Sequence, residues 1–241
     1  MRPIAVVKPV AQLSLALPSA AAMGREDFLV APSNATALAA LEDPRGLPAG
    51  LTVLIGPPGS GKTHLAHVWA ARVGAHWQTT ESLTDTLPAL LSDDAPLNVV
   101  IDDAQQLAQT AGEEALFHLV NHLRGKGQLL LTAPVPVRDW GLALPDLVSR
   151  LSAAAHPALA EPDEGLLAAV LVKLFTDRQL RVEPALIDFL LSRMERSLAA
   201  AGDVVARLDR LALQTKRRIT RDLARQILAQ DPDTPDGDTP S

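Results

Sequence analysis

Cysteine is absent from the 241 residues, which excludes disulfides and thiolate chemistry. Tyrosine is absent too, and with only four Phe and three Trp the core must be built mainly from Ala, Leu and Val. Trp69, Trp77 and Trp140 are expected as partly buried packing residues. Positive charge is in deficit: 22 Lys and Arg against 28 Asp and Glu leave a net charge of −6, which argues against a dominant nucleic-acid role. A long apolar run is also missing. Ile4 to Val7 is stopped by Lys8 and Pro9, so neither a signal peptide nor a transmembrane helix is expected. The default expectation is a soluble cytoplasmic protein with no membrane partner. Hydrophobic residues still make up 47% of the chain, enough for a sizeable core in one large or two small domains.

One stretch organises the rest. Gly56-Pro57-Pro58-Gly59-Ser60-Gly61-Lys62-Thr63 fits the phosphate-binding pattern G-x-x-x-x-G-K-[ST]. Leu51 to Ile55 before it reads as a buried strand, and His64 to Val73 after it as a helix. That is the strand-to-helix turn the chemistry needs. Glycines let backbone N–H groups curl around a phosphate, and the helix N-terminus adds the positive end of its dipole. Lys62 is expected to reach the β- and γ-phosphates, and Thr63 to hold Mg²⁺. The cofactor expected is therefore ADP or ATP with Mg²⁺.

From Leu51 onward strand and helix patterns alternate, which implies a parallel sheet with crossover helices. Strands are expected at 51–55, 75–79, 97–102 and 127–132, with a final one near 154–159. Helices are expected at 34–41, 62–73, 81–91 and 112–124, and a short one around 144–151. The third strand ends in Asp102-Asp103. Ligands of such sheets bind at the carboxyl ends of the strands. Asp102 is expected in the Mg²⁺ shell and Asp103 beside the attacking water. The fourth strand ends in Thr132, placed either to sense the γ-phosphate or simply to cap the strand. Arg150, in Leu144-Pro145-Asp146-Leu147-Val148-Ser149-Arg150-Leu151, reads either as a structural ion-pair residue or as an arginine finger for a neighbour's nucleotide.

Glu161-Pro162-Asp163 opens a second, helical part. Helices are expected over 163–178, from Pro184 to about Arg196, from about Ala200 to Lys216, and after Thr220 to about Ala229. The organisation expected is an arm over 1–23, an α/β nucleotide-binding domain over 24–160, a helical lid over 161–230 and a disordered acidic tail over 231–241. In the arm, Gln12-Leu13-Ser14-Leu15-Ala16-Leu17 alternates apolar and polar or small residues. Such a segment suits a partner's groove, or packs as a strand or loose tail on its own domain. His118 and His122 have zinc-binding spacing, but Leu119 stands where a zinc protease needs an acid and no third ligand is evident. Lys216-Arg217-Arg218 is too short for a DNA footprint and reads as a solvated helix end.

The combination of residues 56–63, Asp102-Asp103, Thr132, Arg150 and a helical lid resembles the AAA+ module of the DnaA family. The hexapeptide 12–17 and the segment 144–151 resemble, within it, the Hda regulators. The resemblance covers roughly 12–229. It implies a P-loop AAA+ fold, an α/β parallel sheet with helices on both faces followed by a small all-α lid. It implies binding of Gln12, Leu13, Ser14, Leu15, Ala16 and Leu17 to the β sliding clamp of DNA polymerase. It implies that Arg150 acts in trans on ATP bound to DnaA, so that re-initiation of replication is prevented at the replisome. It leaves a homodimer open and implies no sequence-specific DNA binding, because no DNA-binding domain follows the lid. In one respect the chain departs from the pattern. A lid arginine usually touches the nucleotide, and Arg196 is the nearest candidate. Either Arg196 takes that role or the contact is lost, which would fit a chain that binds ADP and hydrolyses ATP poorly. The runner-up function is an ATP-hydrolysing helicase loader or a related replication ATPase, and the third a small-molecule kinase. The clamp motif speaks against the loader, and the absence of an obvious acceptor site against the kinase.

Overall fold

A computed structural model of the chain describes residues 25, 28–43, 50–92, 97–108 and 110–229. Four strands, β1 (Leu51–Ile55), β2 (His76–Gln78), β3 (Asn98–Ile101) and β4 (Gln128–Ala133), form one parallel sheet in the order β1-β4-β3-β2. The near-continuous apolar sequences of β1, β3 and β4 reflect burial on both faces, whereas the edge strand β2, His76-Trp77-Gln78, is only partly buried. Successive side chains point to opposite sides. Val53, Val99, Ile101, Leu129 and Leu131 enter one core, while Leu54, Val100 and Leu130 enter the other.

Helices cover both faces. α1 (Ala35–Glu42) and α2 (Lys62–Val73) pack Leu38, Leu41, Leu65 and Trp69 against Leu54, Val100 and Leu130. The opposite face is covered by α3 (Leu83–Ser92), α4 (Ala111–Leu123) and α5 (Pro145–Ser152), through Leu83, Leu116, Leu119, Leu147 and Leu151 among others. The sheet thus separates the helix that follows the phosphate loop from the helix that carries Arg150.

The expected strand near 154–159 is not a strand. This segment runs parallel to β1 but is joined to it only by isolated bridges, Thr52 to Ala155 and Ile55 to Ala158. Proline explains why. Ala155 N donates to Leu51 O and Leu159 N to Ile55 O. The amide between them in that series belongs to Pro157, which has no N–H.

A third core joins α6 (Glu164–Asp177), α7 (Pro184–Leu191), α8 (Leu198–Thr215) and α9 (Arg221–Leu228) around Leu171, Phe175, Leu190, Val205 and Leu208. Three of these helices start on side-chain caps: Asp163 Oδ1 accepts from Leu166 N at 2.8 Å, Ser197 Oγ from Ala200 N at 3.0 Å, and Thr220 Oγ1 from Leu223 N at 3.4 Å. α7 begins with Pro184 and ends at Leu191, short of the expected Arg196. The cap of α8 needs Ser197 in extended backbone, φ −135° and ψ 148°, so the helix cannot run on into it. Among the described residues no helix is long and apolar enough to cross a membrane.

Candidate nucleotide site and the Arg150 face

β1 delivers the chain to the phosphate loop, and Gly56 N still donates to Ala133 O at 3.2 Å, so the loop leaves the sheet from a fixed point. Gly59 and Gly61 then take φ of +70° and +97°, left-handed values that cost other L-residues about 1–2 kcal/mol. Gly61 directly precedes α2, whose first amides open toward the loop. Lys62 is buried, and its Nζ donates to Gly56 O at 2.8 Å and Pro57 O at 3.0 Å. Burial pushes its ammonium below the ordinary lysine range, against the opposing pull of Asp103 and then Asp102. Pro58 completes the loop between Pro57 and Gly59, and Ser60 is buried within it.

Asp102 and Asp103 follow β3, next to β4 in the sheet. Thr63 Oγ1, on the first turn of α2, donates to Asp102 Oδ2 at 2.8 Å. Thr132 is fully buried; its hydroxyl donates to Asp102 Oδ1 and accepts from Asp103 N at 3.0 Å. The two oxygens of Asp102 are therefore each held by a threonine, one from the loop helix and one from β4. Asp103 takes a left-handed φ of 51°, a conformation that Asp tolerates better than most residues, as it opens the 3₁₀ turn Ala104–Leu107. Chemically the arrangement gathers a cation, two hydroxyls and two carboxylates at the carboxyl ends of β1, β3 and β4. Farther along α2, His67 stacks on Trp77 of β2 with centroids 3.8 Å apart. Burial holds its imidazole below the ordinary range, partly offset by Asp102.

The lid meets this loop directly. Leu198 N, at the start of α8, donates to Gly59 O at 2.8 Å. A Cβ on Gly59 would stand 2.2 Å from Ser197 Cβ, and one on Gly61 3.0 Å from Leu198 Cδ1. Glycine is thus required at 59 for space as well as for φ. Sequence reasoning does not find Ser197 and Leu198 as neighbours of the loop. Ser197 carries the signal of a helix cap, and nothing local says that the capped helix docks so far back in the chain. Arg196 lies one residue before this contact. Its side chain is 71% exposed and stands 4.0 Å from Glu164 across the lid.

Arg150 sits on the last turn of α5, in the helical layer across the sheet from α2. Its guanidinium lies 5.9 Å from the ring centroid of Phe117 on α4. Lys62, Thr63, Asp102, Asp103 and Thr132 thus form one constellation and Arg150 belongs to another. The hexapeptide Gln12 to Leu17 and the tail lie outside the described residues.

A parallel sheet with the glycine-rich loop after β1, acids after β3, a threonine near the end of β4 and an all-α lid is the arrangement of the AAA+ fold. Residues 164–228 match the family model "Hda, lid domain". The fold is similar to domain III of the replication initiation protein DnaA from Thermotoga maritima, at 20% identity and a TM-score of 0.75, covering 86% of this chain and 95% of that one. AMPPCP-bound DnaA from Aquifex aeolicus matches at 20% identity and a TM-score of 0.62, over 78% of this chain and 64% of that one. A point mutant of RuvB from Thermotoga maritima matches at 21% identity and a TM-score of 0.64, over 82% of this chain and 68% of that one. At these identities the solved structures speak for the fold, and the lid match narrows it. The chain thus has an AAA+ fold like that of DnaA domain III, and its lid matches the Hda lid domain.

Proposed function

We propose that this chain is a nucleotide-bound AAA+ regulator that acts on a neighbour. Tethered to the sliding clamp on DNA through Gln12 to Leu17, it stimulates hydrolysis of ATP bound to DnaA and so prevents re-initiation of replication. One observation carries the reading: Arg150 lines a pocket with Gly50, Leu51 and Leu129 at the amino ends of β1 and β4, whereas the phosphate loop leaves the carboxyl end of β1. An arginine so placed suits a phosphate on another molecule, as an arginine finger supplied in trans does.

The chain's own site fits a nucleoside phosphate with a divalent cation. Gly59 and Gly61 hold the left-handed backbone of the loop, and the Thr63 hydroxyl and Asp102 carboxylate already meet at 2.8 Å. Residues 56–63 would hold the phosphates, with Lys62 turning from the Gly56 and Pro57 carbonyls toward them. Thr63 and Asp102 would hold Mg²⁺, the aspartate through water. The cation supplies charge neutralisation for the phosphates when bound. Asp103 would orient the attacking water, Thr132 would act at the γ-phosphate end, and Arg196, next to Ser197 in the chain, is the lid candidate for a nucleotide contact. Bound nucleotide in this reading braces the sheet domain against the lid, and ADP serves as well as ATP. DnaA relatives that bind AMPPCP through the same fold support the nucleotide assignment.

The test is one assay. Hydrolysis of DnaA-bound ATP is followed with and without this protein, the clamp and DNA. The reading expects hydrolysis to rise only when all are present. Rapid ATP turnover by this protein alone, indifferent to clamp and DnaA, would replace it with the helicase-loader reading.

A further inference from the structure

We infer that Glu113 is the positioning residue for Arg150: a buried carboxylate on α4 that fixes the entry of the chain into α5. The inference rests on the trans-acting role of Arg150 proposed above.

Glu113 lies in the first turn of α4 and is only 3% exposed. Burying a carboxylate is unfavourable unless it is well satisfied. Its Oε1 accepts from Ala143 N and from Leu144 N, both at 2.7 Å. These short charge-assisted bonds are of the stronger kind. They grip the two residues that lead into α5. Apart from Leu142 and Leu144 packing on the core, that end lacks a helix cap of its own: Leu144 at the cap position makes no side-chain cap, and Pro145 at the first position has no N–H. The carboxylate also stands at the N-terminal ends of two helices at once, where both dipoles favour negative charge.

The same face of α4 reaches the other end of α5. Phe117 is one turn beyond Glu113, and its ring lies under the Arg150 guanidinium. Between these contacts Leu147 and Leu151 are fully buried. α5 is therefore pinned at its entry by Glu113, along its length by two leucines, and at its charged end by Phe117. A finger supplied in trans must meet a phosphate held by another molecule, and a misplacement of about 1 Å can cost on the order of 100-fold in rate. Losing the Glu113 anchor frees the entry turn without touching the guanidinium itself.

The experiment measures clamp- and DNA-dependent hydrolysis of DnaA-bound ATP over a titration of this protein, comparing the unmodified chain, Glu113→Gln, Glu113→Ala and Arg150→Ala. Glu113→Ala is expected to lower the maximal stimulated rate about 10-fold or more. The concentration giving half-maximal stimulation, clamp binding and ADP affinity should stay near their original values. Glu113→Gln keeps an acceptor oxygen and should recover part of the rate. A Glu113→Ala variant with full maximal rate, beside an Arg150→Ala variant that has lost it, overturns the positioning role and leaves the proposed function standing. A Glu113→Ala variant that shifts only the half-maximal concentration overturns it as well. Should Glu113→Ala fail to fold by circular dichroism, Glu113→Gln decides: a reduced maximal rate supports the role and an unchanged one removes it. Stimulation that survives in Arg150→Ala removes the trans-finger reading, and this inference with it.

Discussion

Lys62 and Arg150 are both cations assigned to phosphate, and the fold treats them in opposite ways. Lys62 is buried at the start of α2 and donates to two carbonyls of its own loop. Arg150 is half-buried at the end of α5, resting on an aromatic face across the sheet. The first is stored inside the site it serves. The second is carried on a helix packed on the face of the sheet opposite α2, beside the amino ends of β1 and β4. A lysine is a point charge on a flexible stem and can swing from carbonyls to phosphate, whereas a planar guanidinium works by arriving in register. On the proposed reading the difference separates a residue that binds from a residue that acts on something else.

The largest test of that contrast is Arg150→Ala. Stimulated hydrolysis of DnaA-bound ATP should fall by about 10³-fold or more, the scale known for fingers supplied in trans. The melting temperature and ADP affinity should hold. Lys62→Ala should do the reverse of this. Loss of charged hydrogen bonds to phosphate should weaken ADP binding about 10- to 100-fold in a calorimetric titration, with the fold intact. An unchanged ADP affinity would break the assignment of the loop. Gly59→Ala is expected to be smaller in energy but broader in consequence. The left-handed φ alone costs about 1–2 kcal/mol, and the Ser197 contact adds to it. Urea unfolding should register that loss, and amide exchange at Leu198 should speed up as the lid comes off the loop. The smallest effect concerns His67, on the same helix as Lys62. Burial lowers its folded pKa, so the unfolded chain binds the proton more readily. Its contribution is therefore complete above about pH 6.5 and is lost as pH falls toward the lower folded value. His67→Gln should flatten the stability–pH slope in that window, and an identical slope in both proteins would show that other groups carry it.

The parts of the molecule written in short apolar runs are legible in the sequence. β1 and α2 fall at the expected residues, and the loop between them follows from its glycines and lysine. The strand expected near 154–159 fails because alternation says nothing of what Pro157 can donate. α7 is shorter than expected because the buried apolar spacing of Ile187, Leu190 and Met194 runs on past its end at Leu191. The site is legible as a set of residue types and illegible as a set of contacts. Sheet logic alone puts Thr132 beside Asp102, and the two are hydrogen-bonded. The bond from Leu198 to Gly59 and the grip of Glu113 on Ala143 and Leu144 join residues far apart in the chain, through side chains that look ordinary in place. Thr110-x-x-Glu113 even has the spacing of a local helix cap, which directs attention away from α5.

The bond between Leu198 and Gly59 also says something about time. It is a single amide to a single carbonyl, joining the lid's longest helix to the middle of the phosphate loop. Lid opening leaves that carbonyl bare, and reshaping the loop leaves that amide bare. Neither surface can move without the other losing a partner, so on the proposed reading the lid and the loop open together. On that reading a change at Ser197 should alter how long the protein keeps its nucleotide more than how tightly it holds it.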